Sequence, residues 1–343
     1  MIPQEKSEAV TRALREAFGV SEFEDIRRVM KGLPMTLKYR IMVRGRPYLL
    51  RVIMRSDDAT RHFACMRAAA EAGLAPKVWY TNTEDRVCIT DFIEAVPLPV
   101  SEALVRAPRV LRRLHALPPF PEIPARINTS CTFLMNEGPA LDDFVTKFQD
   151  ANVLSQDQKE ELFARYAEVS AVYPRDRADM VSSHNDLFKP DNILFDGDRV
   201  WLVDWEAAFL NDRYADLAVA ANLVVTNDDE ESRYLNKYFG QPADEYQRAR
   251  FFLMRQIVHM FYAMAFLLLG SSGASVDWSE SVPSFQEFKR RMWAGEVNLS
   301  DSAMKVIYGR VHWEMLLANT RAARFGESLA IVAQRARRLA ETC

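Results

Sequence analysis

The segment from His184 to Glu206 constrains this chain more than any other. It reads His184-Asn185-Asp186, then Lys189-Pro190-Asp191-Asn192-Ile193-Leu194, then Leu202-Val203-Asp204-Trp205-Glu206. Two short apolar runs, 193–195 and 200–203, flank Asp196-Gly197-Asp198, and this pattern predicts a β-hairpin. Its ends carry Asp186, Asp191, Asn192 and Asp204, hard oxygen donors of the kind magnesium selects. Carboxylates and an amide beside a hairpin suit the holding of magnesium and a nucleotide's phosphates near a hydroxyl to be activated.

Composition bounds the rest. With 343 residues the chain is long enough for two lobes with sizeable cores. Hydrophobic residues make up 49% and charged residues 27%, the balance of a soluble globular protein. A formal net charge of -3 gives no basic footprint for nucleic acid or an anionic membrane. Cys65, Cys88, Cys131 and Cys343 form no CxxC pair, which fits reduced thiols in a cytoplasmic protein. Residues 1–15 lack the apolar stretch of a signal peptide. The long apolar run 257–269 is too short to span a bilayer and begins beside Arg255, Gln256 and His259, so a buried helix is expected there.

Periodicity predicts an amphipathic helix over 7–18, a strand over 26–31, and a hairpin formed by 37–43 and 48–54 around Arg44-Gly45-Arg46-Pro47. A helix over 60–72 ends at Gly73, and strands follow over 77–81 and 87–92. These five antiparallel strands and their helix make a small lobe over 1–94. Beyond the linker Glu94-Ala95-Val96-Pro97-Leu98-Pro99 the character changes to helix: 103–116, 142–148, 156–172, 214–225, 230–238, 245–269 and more within 284–340. The reading over 95–343 is one helical lobe carrying the catalytic loop, the metal site and the substrate pocket.

A His-x-Asp followed closely by Asn, and then by a hydrophobic residue and Asp, resembles the choline kinase and aminoglycoside phosphotransferase superfamily. The likeness continues through Asn211, Asp216-Leu217-Ala218 and Asn222, and Asp204-Trp205-Glu206 is most similar to the choline and ethanolamine kinase branch. The resemblance implies an α+β, protein-kinase-like two-lobe fold and an ATP- and Mg2+-dependent transfer of the γ-phosphate to a small-molecule hydroxyl.

It also implies roles. Asp186 orients the hydroxyl and accepts its proton, as an ionised carboxylate can. Asp204 is the main metal ligand, and Glu206 is a second ligand or orients one. The family's metal-binding asparagine comes five residues after the aspartate; here that place is Asp191 and Asn192 is sixth. Asn192 is favoured because it keeps its place before the following strand, with Asp191 as the alternative. His184 supports the site from behind. Lys189 is read as a solvated loop lysine, and Asp216 braces the catalytic loop. Arg51, on the third strand, is the phosphate-binding basic residue; its usual helix glutamate is missing, and Asp57 or Asp58 could stand in. The loop Gly32-Leu33-Pro34-Met35-Thr36 covers the phosphates, and backbone groups of Asp91, Phe92 and Ile93 take the adenine.

A choline- or ethanolamine-like amino alcohol is the favoured acceptor, with Phe252, Phe261, Tyr262, Trp278, Trp293 and Trp313 as candidate faces for a cation, though core packing explains them more simply. The acidic run Asp228-Asp229-Glu230-Glu231 is first of all a helix start. Aminoglycosides and sugars are the alternative acceptors. Of another class is a pseudokinase that binds nucleotide or acts as a scaffold, suggested by the missing glutamate, the single loop glycine and the shifted asparagine. A protein kinase fits least, since a glycine-rich loop and Asp-Phe-Gly are absent.

Overall fold

The computed structural model describes residues 2–29, 36–54, 59–121, 148–174 and 179–342. The chain opens with α1 (Ser7–Phe18), β1 (Asp25–Val29), β2 (Thr36–Val43), β3 (Arg46–Ile53), α2 (Thr60–Glu71), β4 (Val78–Asn82) and β5 (Val87–Asp91). It continues through α3 (Val100–Leu114), α4 (Gln156–Val172), β6 (Met180–Ser183), β7 (Ile193–Phe195), β8 (Val200–Leu202) and β9 (Phe209–Asp212). It ends in α5 (Arg213–Val224), α6 (Asp228–Phe239), α7 (Glu245–Ser271), α8 (Phe285–Trp293), α9 (Ser302–Arg321) and α10 (Ala323–Thr342). The expected loop residues Gly32, Leu33, Pro34 and Met35, the residues Asp57 and Asp58, nearly all of the expected helix 142–148, and Cys131 and Cys343 lie outside the described residues.

Two compact units account for the chain: 1–98 with 192–209, and 99–191 with 210–343. The first is an antiparallel sheet in the order β1-β2-β3-β5-β4. Alternation sends Tyr39, Ile41, Val43, Tyr48, Leu50 and Val52 to one face, where they form a core with Ala13 and Leu14 of α1. The β2–β3 turn is Arg44-Gly45, both at positive φ, as two-residue hairpin loops require.

This grouping differs from a sequence division at residue 94. The β7–β8 hairpin, read from sequence as part of the helical lobe, packs with the N-terminal sheet. Val96 N–H donates to the Phe195 carbonyl (2.7 Å) and Leu202 N–H to the Leu74 carbonyl (2.8 Å). From α2, Arg61 donates to the carbonyls of Glu206 (2.8 Å) and Ala208. Those bonds satisfy backbone groups that the hairpin cannot pair within itself. Burial pushes the Cys65 thiol up to about 12 and the Cys88 thiol up to about 11, so both stay protonated.

The second unit is helical. Length and composition alone would let α7 cross a bilayer, yet 72% of its most apolar stretch is buried within the fold. It packs against α9, α10, α5 and α4. The crossing with α9 is close: a Cβ at Gly309 would stand 2.8 Å from the Leu267 backbone nitrogen, so only glycine fits.

A histidine pair sits in this core. His259 and His312, both buried, place their Nδ1 atoms 2.8 Å apart. Burial, first of all, lowers both pKa values, His312 to about 3 and His259 well below its ordinary value, so both are neutral in the fold. One ring then donates N–H and the other accepts. Unfolded histidine titrates near ~6.5. Below that pH the unfolded chain takes up protons that the folded chain refuses, so stability falls as pH falls. The expected slope is about 1.4 kcal/mol per pH unit for each histidine. Urea unfolding between neutral and mildly acid pH measures it, and His312→Phe should remove about one histidine's share; an unchanged slope in that variant would contradict the neutral pair.

Candidate active site

The candidate residues of the first unit meet on one face of the sheet. β2 and β3 pair so that Lys38 lies opposite Arg51. Both point away from the core face that Tyr39 and Leu50 fill. Two cations in register repel unless anions lie between them, and Asp204 and Glu206 supply those. Arg51 Nη2 donates to Asp204 Oδ1 at 2.9 Å and to Glu206 Oε1 at 3.1 Å; Lys38 Nζ reaches Asp204 Oδ2 at 3.4 Å. Thr36 Oγ1 donates to Glu206 at 3.4 Å. Burial works against the Arg51 charge, but Asp204 and Glu206 outweigh it and hold the guanidinium ionised.

The chain places the two carboxylates by turning sharply after β8. Asp204 takes a left-handed conformation (φ 73), and a single 3-10 turn follows, anchored by buried Trp205. At the open end of the hairpin, Val203 N–H donates to the Asn192 carbonyl at 3.1 Å. The 3-10 turn Pro190–Asn192 leaves Asp191 exposed and Asn192 buried. Asp204, Glu206 and Asn192 are oxygen donors of the type magnesium takes alongside water and phosphate oxygens. Among the described residues no cluster of three or more His, Cys, Asp and Glu is arranged to hold a metal. Magnesium, which fills its shell from substrate phosphates, does not require one.

In the second unit the loop after β6 is fixed from behind. Asp216, fully buried near the start of α5, accepts from the backbone N–H of His184 and of Asn185, both at 2.7 Å. His115 Nε2 lies 3.3 Å from the same carboxylate. Burial alone would raise the Asp216 pKa; the bond and charge of His115, with His184, outweigh it and hold the group below its ordinary value. Asn185 is left-handed (φ 64), and its side-chain oxygen accepts from Asn211 Nδ2 at 2.8 Å. These bonds set the backbone that presents Asp186, whose carboxylate lies 3.9 Å from Lys189 Nζ. Phe188, two residues on, packs on Tyr262 and Phe266 of α7.

Other expected residues lie elsewhere or are already engaged. Asp91 N–H donates to the Lys77 carbonyl, and its carboxylate accepts from Trp79 Nε1 (2.7 Å), so its backbone donor is taken; half-exposed Phe92 and Ile93 follow it. Trp278 and Trp313 pack on each other. The acidic run is the first turn of α6, where Glu231 is buried against Arg255. Sequence reasoning missed Lys38; the β2–β3 turn fixes the register that sets it opposite Arg51, and that signal was available.

The phosphotransferase enzyme family (APH) matches residues 36–252, well over half the chain. The chain belongs to this family. No curated protein matches it by sequence. Solved structures share its kinase-like fold at low identity. A choline/ethanolamine kinase family protein from Mesorhizobium loti is 18% identical, with a TM-score of 0.68, 96% of this chain covered and 99% of that one. Plasmodium vivax ethanolamine kinase is 15% identical, with a TM-score of 0.55 and coverage of 89% and 83%. The streptomycin–ATP–APH(2″)-IIa ternary complex is 14% identical, with a TM-score of 0.55 and coverage of 80% and 93%. Family membership makes the chain a phosphotransferase, and the small antiparallel sheet with a larger helical part is the fold expected of it.

Proposed function

We propose that this phosphotransferase moves the γ-phosphate of ATP, with Mg2+, to a hydroxyl of a small molecule. The observation that carries the reading is the four-charge cluster of Lys38, Arg51, Asp204 and Glu206. Lys38 and Arg51 are matched to nucleotide phosphates, arginine by its two-pronged donor geometry. Asp204, with Asn192 and Glu206, would hold magnesium, which when bound neutralises charge on the transferring phosphoryl group. Asp186 orients the acceptor hydroxyl and takes its proton. The adenine falls to the backbone after β5, at Phe92 and Ile93.

The cluster also speaks against a pseudokinase. The helix glutamate that the family would pair with Arg51 is absent, but Arg51 is held by the two carboxylates beside it, so its loss removes no needed charge. Choline- or ethanolamine-like acceptors draw support from Asp204-Trp205-Glu206, and aminoglycosides and sugars remain in the same reaction class. The test is magnesium-dependent ADP release from ATP across amino alcohols, aminoglycosides and sugars. A stimulating acceptor that is itself phosphorylated is the expected result. ATP binding without transfer to any acceptor would favour the pseudokinase, and no ATP binding would end the kinase reading.

A further inference from the structure

Arg61 stands where a cation is disfavoured. It occupies the first turn of α2, which carries no acidic residue there. The helix dipole opposes a positive charge at this end. Half-buried Arg61 reaches instead to two backbone carbonyls, donating through Nη2 to Glu206 at 2.8 Å and through Nη1 to Ala208. Cys65, one turn further along α2, adds its thiol to the Ala208 carbonyl at 3.6 Å.

Those carbonyls belong to the turn that carries the candidate metal ligands. It is a single 3-10 turn, Trp205–Ala207, entered through the left-handed Asp204. A helix this short satisfies few of its own carbonyls, because the last ones of any helix lack internal partners. Ala208 N–H takes the Trp205 carbonyl, and Arg61 takes those of Glu206 and Ala208. The planar fork of a guanidinium lets one side chain bind both.

The side chains of the same turn are held differently. Arg51 donates to both Asp204 and Glu206, and Lys38 reaches Asp204. These two cations are also the groups matched to nucleotide phosphates. A cation that turns to phosphate loosens its hold on a carboxylate, and a carboxylate that turns to metal loosens its hold on a cation. Bonds to backbone carbonyls face neither competition. Arg61 can therefore keep the turn in place while its side chains change partners.

We propose that Arg61 is a positioning residue for the metal site, fixing the backbone from Glu206 to Ala208 so that the Asp204 and Glu206 carboxylates stay together when Arg51 leaves them. The inference rests on the reading of Asp204 and Glu206 as magnesium ligands. It gives α2 a part in the reaction through the main chain of the turn, without a helix glutamate.

The test is manganese, as a stand-in for magnesium, titrated into the full chain beside a non-hydrolysable ATP analogue and read by water-proton relaxation, which reports protein-bound metal. Groups that orient metal ligands matter by about 10–100-fold in affinity, and Arg61→Met should weaken manganese binding by that amount. The metal-free analogue should bind as in wild type. The sign of the metal effect discriminates: removing a nearby cation would, by charge alone, tighten the metal, whereas loss of positioning weakens it. Arg61→Lys keeps the charge but not the fork, so it should show a smaller loss, and it is the variant to read if Arg61→Met does not fold. Tighter or unchanged manganese binding in a folded variant would overturn the inference. So would equal weakening of the metal-free analogue, the mark of a general disturbance of the sheet. Wild type that binds the analogue but no manganese would sink the metal reading and this inference with it, and failure of the analogue to bind at all would sink the kinase reading.

Discussion

Asp186→Asn is expected to lower kcat by about 10²–10⁴-fold while leaving nucleotide binding in place. Asparagine keeps the size of the side chain but cannot take up a proton. The backbone that presents it depends on Asp216, Asn185 and Asn211, and none of these bonds involves the Asp186 side chain. The loop should therefore keep its shape. Arg51, Lys38 and Asp204 belong to the other unit, so ATP affinity should be unchanged. Steady-state ADP release and an independent nucleotide titration separate the two effects. Asp204→Asn should behave differently, raising the magnesium concentration needed for half-maximal rate, because the proposed metal site would lose its carboxylate. Wild-type turnover in Asp186→Asn would remove Asp186 from the chemistry.

The second large effect concerns stability. Arg250→Leu is expected to cost about 3–5 kcal/mol, read as a shift in urea midpoint. Arg250 and Asp212 are both 1% exposed at their side chains, and Arg250 Nη2 meets Asp212 at 2.7 Å. Asp179 accepts from the same guanidinium, and Tyr173 O–H donates to Asp212 at 3.1 Å. Asp212 also caps α5, accepting from Tyr214 N–H at 2.8 Å. Burial raises its pKa even with the arginine present. Leucine would leave that carboxylate buried without its cation, and the cost is chiefly this orphaned charge. Adding Asp212→Asn should recover part of the loss, since a neutral amide keeps the cap without the charge. A loss under about 1 kcal/mol in Arg250→Leu would place the network among weak surface pairs.

Much of the fold was legible in sequence because its signals are local. Alternation in 37–43 and 48–54, with Arg44-Gly45 between, gives the β2–β3 hairpin from neighbouring residues alone. Ser155 and Gln158 form the capping box that starts α4 where periodicity predicts it. The apolar run 257–269 reads as buried, and α7 is buried. The short strands β6 and β9, which pair with each other across the chain, gave too few residues for a periodic signal.

The chemistry was legible only as separate residues. Arg51 and Asp204 could each be named from motif and strand position, but they stand 153 positions apart, and no local rule says that they touch. Lys38 carried no motif and gains meaning only from its place opposite Arg51. Arg61 carried no motif either, and its hold on the Glu206 and Ala208 carbonyls depends on how α2 packs against the turn after β8. The sequence by itself determined the element order, the phosphotransferase motif and the identity of the carboxylates. Tertiary structure alone decided which cations meet those carboxylates, which unit holds the hairpin, and which carbonyls Arg61 grips. Periodicity and turn chemistry act over a few residues, whereas charge pairing and burial follow from packing between segments far apart in the chain.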